Sequence, residues 1–233
     1  MHQYLERCHG NDYASWSRYC LALLKQPIVP RALLIGIGKH APGEYERWKL
    51  DGPANDVALI WRVLTTDYGF AESNVSVLLD EQATWQAIER ALQDLAAHAQ
   101  SNDPVVIYLS GVGFFATKKT DGSGAADATP ERSLLMTYDG PTATVSQLHE
   151  RLLAIPSSSK ALIIDGMPVN LAIDLAEQAG DYALLLAAEP GQTAREQRLG
   201  DETDETFRPH GLFTFSPGTA ARGWRRVLQP LEH

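Results

Sequence analysis

The sequence predicts an α/β fold, with about six mainly parallel strands flanked by helices on both faces. Two observations carry that expectation. Short, continuous apolar runs of the kind that fill strands buried on both sides recur along the chain. Between them lie segments whose apolar residues repeat at helical spacing, so strand and helix alternate as a parallel sheet requires.

Residues 13–25 (YASWSRYCLALLK) read as a helix ended by Pro27 and Pro30. Residues 31–37 (RALLIGI) form the first apolar strand, followed by a Gly-, Pro- and charge-rich loop to Gly52. Val57, Ile60, Trp61 and Leu64 then recur at i, i+3, i+4 and i+7, with Pro53 suited to the first turn and Gly69 just past the end. Residues 75–79 are the second strand. Trp85, Ile88, Leu92 and Leu95 make the next helical stripe, with Thr84 as N-cap. Residues 104–109 are a third strand, and 134–138 a short extended segment. Thr144-Val-Ser-Gln147 has the form of a capping box and opens a helix through Leu153. Residues 161–164 (strand), 171–178 (helix) and 182–187 (strand) complete the alternation, with no internal repeat. Residues 118–130 (KKTDGSGAADATP) read as a polar surface loop.

Composition narrows the function. The chain has 233 residues, 44% hydrophobic and 21% charged, with a net charge of −9. This is the make-up of a folded globular protein, large enough for a sizeable core. Its acidity argues against nucleic acid and anionic membranes as partners. No apolar run reaches the ~20 residues of a membrane span, and the first residues have no apolar signal core. Cys8 and Cys20 make neither a disulfide framework nor a CxxC metal pair. A cytoplasmic location is therefore the expectation, with no metal and no cofactor implied. The acidic run 201–205 lacks the 1, 3, 5 ligand spacing of a calcium loop, although the sequence leaves calcium binding open. The last three residues, Leu231-Glu232-His233, read as a cloning scar, with the natural chain expected to continue past it. Oligomeric state is not encoded in any feature of the sequence.

In an open parallel sheet, ligands bind beyond the carboxyl ends of the strands. Three such ends stand out: Ile37-Gly-Lys-His40, Ser110-Gly-Val-Gly113 and Asp165-Gly-Met-Pro168. No GxxxxGK[ST] occurs and no GxGxxG opens a helix, so a nucleotide loop is not indicated. Ser110 lacks the first glycine of a nucleophile elbow.

Taken in order, RALLIGIGKH, GPANDVALIWRVLTTDYGF, VSVLLDEQATWQAIERAL, PVVIYLSGVG, LLMTYDG, KALIIDG and HGLFTF resemble the caspase-like peptidases (peptidase C14), nearest the metacaspase and orthocaspase branch. The resemblance runs from about Arg31 to Phe215. It implies a caspase-hemoglobinase sandwich over residues 31–230, which leaves residues 1–30 as an N-terminal helical extension outside the family core and 231–233 as the tag scar.

The resemblance also implies where catalysis belongs. The family carries its histidine in Ser-Gly-His-Gly and its nucleophile in Asp-x-Cys-His-Ser-Gly. This chain has Val112 at the first position and Met167 at the second. A thioether has no proton to lose and valine does not titrate, so neither half of a thiolate–base pair is present. The expected function is that of a pseudopeptidase, a caspase homologue binding a protein or peptide in a regulatory or scaffolding role. The alternative is an active cysteine endopeptidase cutting after Arg or Lys, its catalytic groups drawn from Cys8, Cys20 and histidines such as His40 and His210.

The branch's acidic pocket for Arg or Lys implies roles for Asp56, Ser110 and Asp165, with Pro53 where relatives often have cysteine. Each also has a plain structural reading. Asp56 suits the first turn of a helix, Asp165 before Gly166 suits a turn, and Ser110 can bond nearby backbone. Lys118, Lys119 and Arg132 fit either a processing site or a solvated loop. Ser216-Pro217-Gly218 is expected to stop the helix begun at HGLFT, and Trp224–Val227 to pack as a last strand or serve as a contact segment.

Overall fold

A computed structural model describes residues 27–117, 132–167, 181–187, 194–199 and 208–215. The expectations for residues 13–25, Cys8, Cys20, 118–130, 171–178, 201–205, 216–218, 224–227 and 231–233 fall outside the described residues.

Strands β1 (Arg31–Ile37), β2 (Val75–Leu79), β3 (Pro104–Thr117), β6 (Ser159–Met167) and β7 (Ala183–Leu186) form a parallel sheet in the order β2-β1-β3-β6-β7. It is flanked by α1 (Pro53–Asp67), α2 (Trp85–His98) and α3 (Val145–Leu153). The α/β architecture is the one the sequence predicts. Two antiparallel strands extend it: β4 (Arg132–Thr137) pairs with the far half of β3, and β5 (Gly140–Thr144) with β4. A separate two-stranded sheet joins β8 (Glu196–Leu199) to β9 (Arg208–Gly211), which leads into the single turn α4 (Leu212–Phe215).

Alternation along the strands divides the core in two. Leu33, Ile35, Ile107, Leu109, Leu162 and Ile164 face α2 and α3, packing on Ile88, Leu92, Leu148 and Leu152. Ala32, Leu34, Val106, Tyr108, Ala161 and Ile163 face α1, packing on Val57, Ile60 and Leu64. The predicted helix starts are present. Thr144 and Gln147 form the capping box of α3, and Thr144 accepts from Gln147 N. Thr84 caps α2 by accepting from Ala87 N, and Pro53 occupies the first turn of α1.

β3 positions the site. The Ser-Gly-Val-Gly segment, which reads as a strand end, is instead a bulge within a longer strand. Ser110 pairs with Asp165 and Gly113 with Met167, so β3 carries one residue more than β6 between the two pairs. Gly113 takes φ 85, open to glycine at little cost. Beyond the bulge β3 leaves its parallel partners and pairs with β4.

One buried cation was not legible in the sequence. Lys160 is 7% exposed on β6. Its Nζ donates to the carbonyls of Leu152 (3.2 Å), in the last turn of α3, and Ile155 (2.7 Å), just past its end. Burial lowers its pKa from the ordinary 10.5. Lys160→Met should destabilise the fold by about 1–3 kcal/mol, the cost of unpaired buried acceptors, measured by denaturant unfolding.

Candidate active site

Asp56 sits in the first turn of α1, Ser110 at the start of the β3 bulge and Asp165 near the end of β6. Together they line a cavity of about 200 Å³, along with Gly166, Glu196 and Gly211. Thus all three residues assigned by sequence to the acidic pocket converge at the carboxyl edge of the sheet. Val112 is 6% exposed within the bulge. The backbone of Met167 pairs with Gly113, one residue from Val112. The side chain of Met167 lies outside the described residues.

Asp56 is 0% exposed and wholly engaged by its own chain. Ser110 Oγ donates to its Oδ2 (2.9 Å), His210 Nδ1 lies 2.9 Å from its Oδ1, and Gly211 N donates to both oxygens at 3.1 and 3.2 Å. When Asp56 is ionised it can only accept, so Nδ1 of His210 then carries the proton. Ser110 spends its hydroxyl on a carboxylate, not on a histidine, so these three side chains are not ordered as a nucleophilic triad.

Asp165 is 5% exposed. Its Oδ2 accepts from Thr214 N at 3.0 Å and from Thr214 Oγ1 at 2.5 Å. The Thr214 hydroxyl lies 2.6 Å from the hydroxyl of Tyr108, a fully buried residue of β3. Gly211 passes so close that a Cβ there would overlap the Asp165 carboxylate. The absence of a side chain is what lets β9 run between the two acids.

A third carboxylate completes the cavity. Glu196, on β8, accepts from Gly52 N (3.0 Å) and Asp51 N (3.2 Å), the free amides ahead of α1. Sequence reasoning missed Glu196, Gly211 and Thr214. Gly211 and Thr214 stand in the HGLFTF segment that supports the family resemblance, and only His210 was singled out there. Glu196 carries no sequence signal, because its role comes from where β8 lands.

Electrostatics follow from burial. Asp56 is raised from 3.8 to about 7, first by burial and then by repulsion from Asp165, against the hydrogen bonds of Gly211 and Ser110. Burial also raises Asp165, opposed by Thr214, and raises Glu196, opposed by the amides of Gly52 and Asp51. Burial, with Arg208 nearby, lowers His210. His40, the other candidate base, is buried after β1 with Nδ1 3.0 Å from the Thr137 carbonyl. A carbonyl only accepts, so His40 donates there from Nδ1, and no described group meets its Nε2.

Among the described residues no cluster of His, Cys, Asp and Glu could hold a metal ion. None of their helices is long and apolar enough to cross a membrane.

The raised pKa of Asp56 fixes the sign of a pH effect. The folded protein keeps this proton while the unfolded chain loses it near 3.8, so the stability it contributes is full below that value. It is lost as pH rises to about 7. Wild-type stability minus that of Asp56→Asn should therefore fall between about pH 4 and 7, by at most roughly 4 kcal/mol, in paired urea titrations. A difference that grows over this range would mean that hydrogen bonds, not burial, dominate at Asp56.

Comparison with known proteins agrees with this architecture. Residues 30–166 match the caspase domain family, peptidase C14, a stretch ending one residue before Met167. Metacaspase-4 of Arabidopsis thaliana is 31% identical over 195 residues, covering 81% of this chain and 43% of that protein. Metacaspase-7 of the same plant is 38% identical over 107 residues, covering 44% of this chain and 25% of that protein. The chain thus spans less than half the length of these curated relatives. Among solved structures, protein GSU0716 from Geobacter sulfurreducens aligns with a TM-score of 0.56 at 17% identity, covering 87% of this chain and 84% of that one, a likeness of fold alone. The strand order, the helices on both faces and the sequence match over more than half the chain have one explanation: the chain belongs to the caspase domain family.

Proposed function

We propose that this chain is a pseudopeptidase: a caspase-fold protein that binds a protein or peptide through a basic side chain and does not cleave it. The observation that carries the reading is the pair Val112, in the β3 bulge, and Met167, at the end of β6, where the family resemblance calls for the base and the nucleophile. Thiol-based amide hydrolysis needs a group that can become an anion and a group that can move its proton. These two side chains offer neither. Loss of such a pair costs on the order of 10⁶ in rate in other nucleophile–base enzymes. The acidic cavity, by contrast, keeps Asp56, Ser110 and Asp165 converged. An arginine offers five donors in a planar fork and suits such a site. The partner is therefore a basic peptide segment, and the role regulatory or scaffolding, in a reducing cytoplasmic setting that two cysteines and no disulfide framework accord with.

Asp56 is sealed from solvent and Asp165 retains a small exposed face, which favours Asp165 as the carboxylate that receives a cation. The second reading, an active endopeptidase, needs a thiol from Cys8 or Cys20, both of which lie outside the described residues.

Purified protein should release no product from Arg-, Lys- or Asp-terminated reporter peptides, with or without calcium. Turnover abolished by Cys8→Ser or Cys20→Ser would establish the endopeptidase instead. Val112→His combined with Met167→Cys should fall well short of full peptidase activity, because Pro168 stands where the family motif has histidine beside the nucleophile, and oxyanion donors must be placed within a fraction of an ångström. In calorimetry an Arg peptide should bind in the micromolar-to-millimolar range, roughly −4 to −8 kcal/mol, and its norleucine analogue more weakly. Asp165→Asn should weaken the Arg peptide by about 1–3 kcal/mol. Equal affinity for the two peptides would remove the pocket from the reading.

A further inference from the structure

Asp56 is sealed from solvent, and its hydrogen bonds come from three residues. Ser110 Oγ and the Gly211 amide meet Oδ2, while His210 Nδ1 and the same amide meet Oδ1. Of the three only His210 changes its proton count in the ordinary pH range. Its imidazole is itself buried, on β9, in the segment that carries Gly211 past both acids and forms one wall of the cavity. The phenyl ring of Phe215 lies against it, with ring centroids 5.0 Å apart.

Two titratable groups 2.9 Å apart take up protons as a pair. With Asp56 ionised, the carboxylate only accepts, so Nδ1 of His210 donates to it and Nε2 is bare. Adding one proton gives either an imidazolium facing a carboxylate or a carboxylic acid facing a neutral imidazole. Burial decides between them, because only the second arrangement has no buried charge. The surrounding groups push the same way. Asp165 on β6 and Glu196 on β8 oppose an anion at Asp56, and Arg208 on β9 opposes a cation at His210. Tyr108 on β3 faces both acids and stays protonated, since burial pushes it far up. Burial and these charges raise Asp56 to about 7 and lower His210. In the proton-bearing form Asp56 is therefore the acid, donating from Oδ1 to Nδ1, and the imidazole carries its own proton on Nε2. Oδ2 keeps its bonds from Ser110 and Gly211.

We infer that Asp56 and His210 form a pH switch in which their hydrogen bond reverses direction: the acid donates to the imidazole in the proton-bearing form, and the imidazole donates to the carboxylate once that proton is gone. In passing from the first form to the second, the Oδ1 proton moves to Nδ1 and the Nε2 proton leaves to solvent. One proton is lost, His210 is neutral at both ends, and the new charge lies on Asp56. Two properties of the cavity wall change together. A negative charge appears behind Asp165, and Nε2 of His210 turns from a donor into an acceptor. The switch is a property of the folded chain and does not depend on what the cavity binds.

The test is NMR of the full chain labelled with nitrogen-15 and carbon-13, titrated from about pH 5.5 to about 8.5 so as to span the coupled step. The two ring nitrogens of His210 should exchange roles, Nε2 protonated at the acid end and Nδ1 at the basic end, with no imidazolium signature between. The Gly211 amide proton, which points at the Asp56 carboxylate, should shift with the same midpoint, near 7. Asp56→Asn cannot take up a proton and should abolish both linked changes. Asp165→Asn removes the neighbouring charge that holds the proton on Asp56 and should move the shared midpoint to lower pH. If Asp56→Asn fails to fold, the wild-type and Asp165→Asn titrations decide by themselves. The switch is overturned by an imidazolium forming in this step, by a His210 that keeps its proton on Nδ1 throughout, or by a Gly211 amide whose midpoint differs from that of His210.

Discussion

Two carboxyl groups are buried side by side at the carboxyl edge of the sheet, and the rest of the site is arranged around satisfying them. Asp56 comes from the first turn of α1 and Asp165 from β6, two elements on opposite sides of the cavity. Water does not solvate Asp56, which is 0% exposed. A buried carboxylate without donors would cost several kcal/mol, so the chain must supply them. It does so from β9 and α4, where His210, Gly211 and Thr214 reach both acids within five residues. This short segment is tied down by its hydrogen bonds to the two acids, by Phe213 packed against the α1 side of the core and by the Phe215 ring against that of His210. The acids fix the segment, and the segment makes the acids tolerable.

This arrangement separates two roles that a list of acidic residues merges. Asp56 spends every described contact inside the protein and orders the backbone around the cavity. Asp165 keeps a narrow exposed face, 5% of its surface. Glu196, tied to the amides ahead of α1, links the two-stranded β8–β9 sheet to the helix that carries Asp56. In the same geometry the Ser110 hydroxyl bonds a carboxylate and not an imidazole, and His210 meets the opposite oxygen of Asp56.

Much of the fold was legible because its signals are local. RALLIGI reads as a doubly buried strand, and its residues are buried from Ala32 to Ile37. Ile88, Leu92 and Leu95 read as a buried stripe and form one. Thr144 and Gln147 read as a cap and are one. Other features have no local signal. β8 is the polar, largely exposed EQRL, a strand only because RPHG lies beside it. β5, beginning Gly-Pro, exists as the partner of β4. The glycines around Val112 look like a strand terminus, and the backbone uses them to bulge and continue. In the site, Asp56, Ser110 and Asp165 could be named in advance, but the partner that saturates Asp56 lies 154 residues away in the sequence. No periodicity spans such a distance.

β3 has a consequence for how the molecule is built over time. Its first half pairs in parallel with β1 and β6, and its second half pairs antiparallel with β4. Parallel neighbours cannot be closed by a tight turn, so the centre of the sheet has no hairpin to nucleate it. The nearest local pairing in this sheet is β4 with β5, which lies on its antiparallel flank and organises none of the pocket. Folding must therefore bring distant segments together before the central contacts repay the loss of chain entropy, a topology that forms slowly. Until β6 arrives, the apolar residues Val105 to Leu109 present an unpaired strand edge, and at that stage the chain is most exposed to association with other chains.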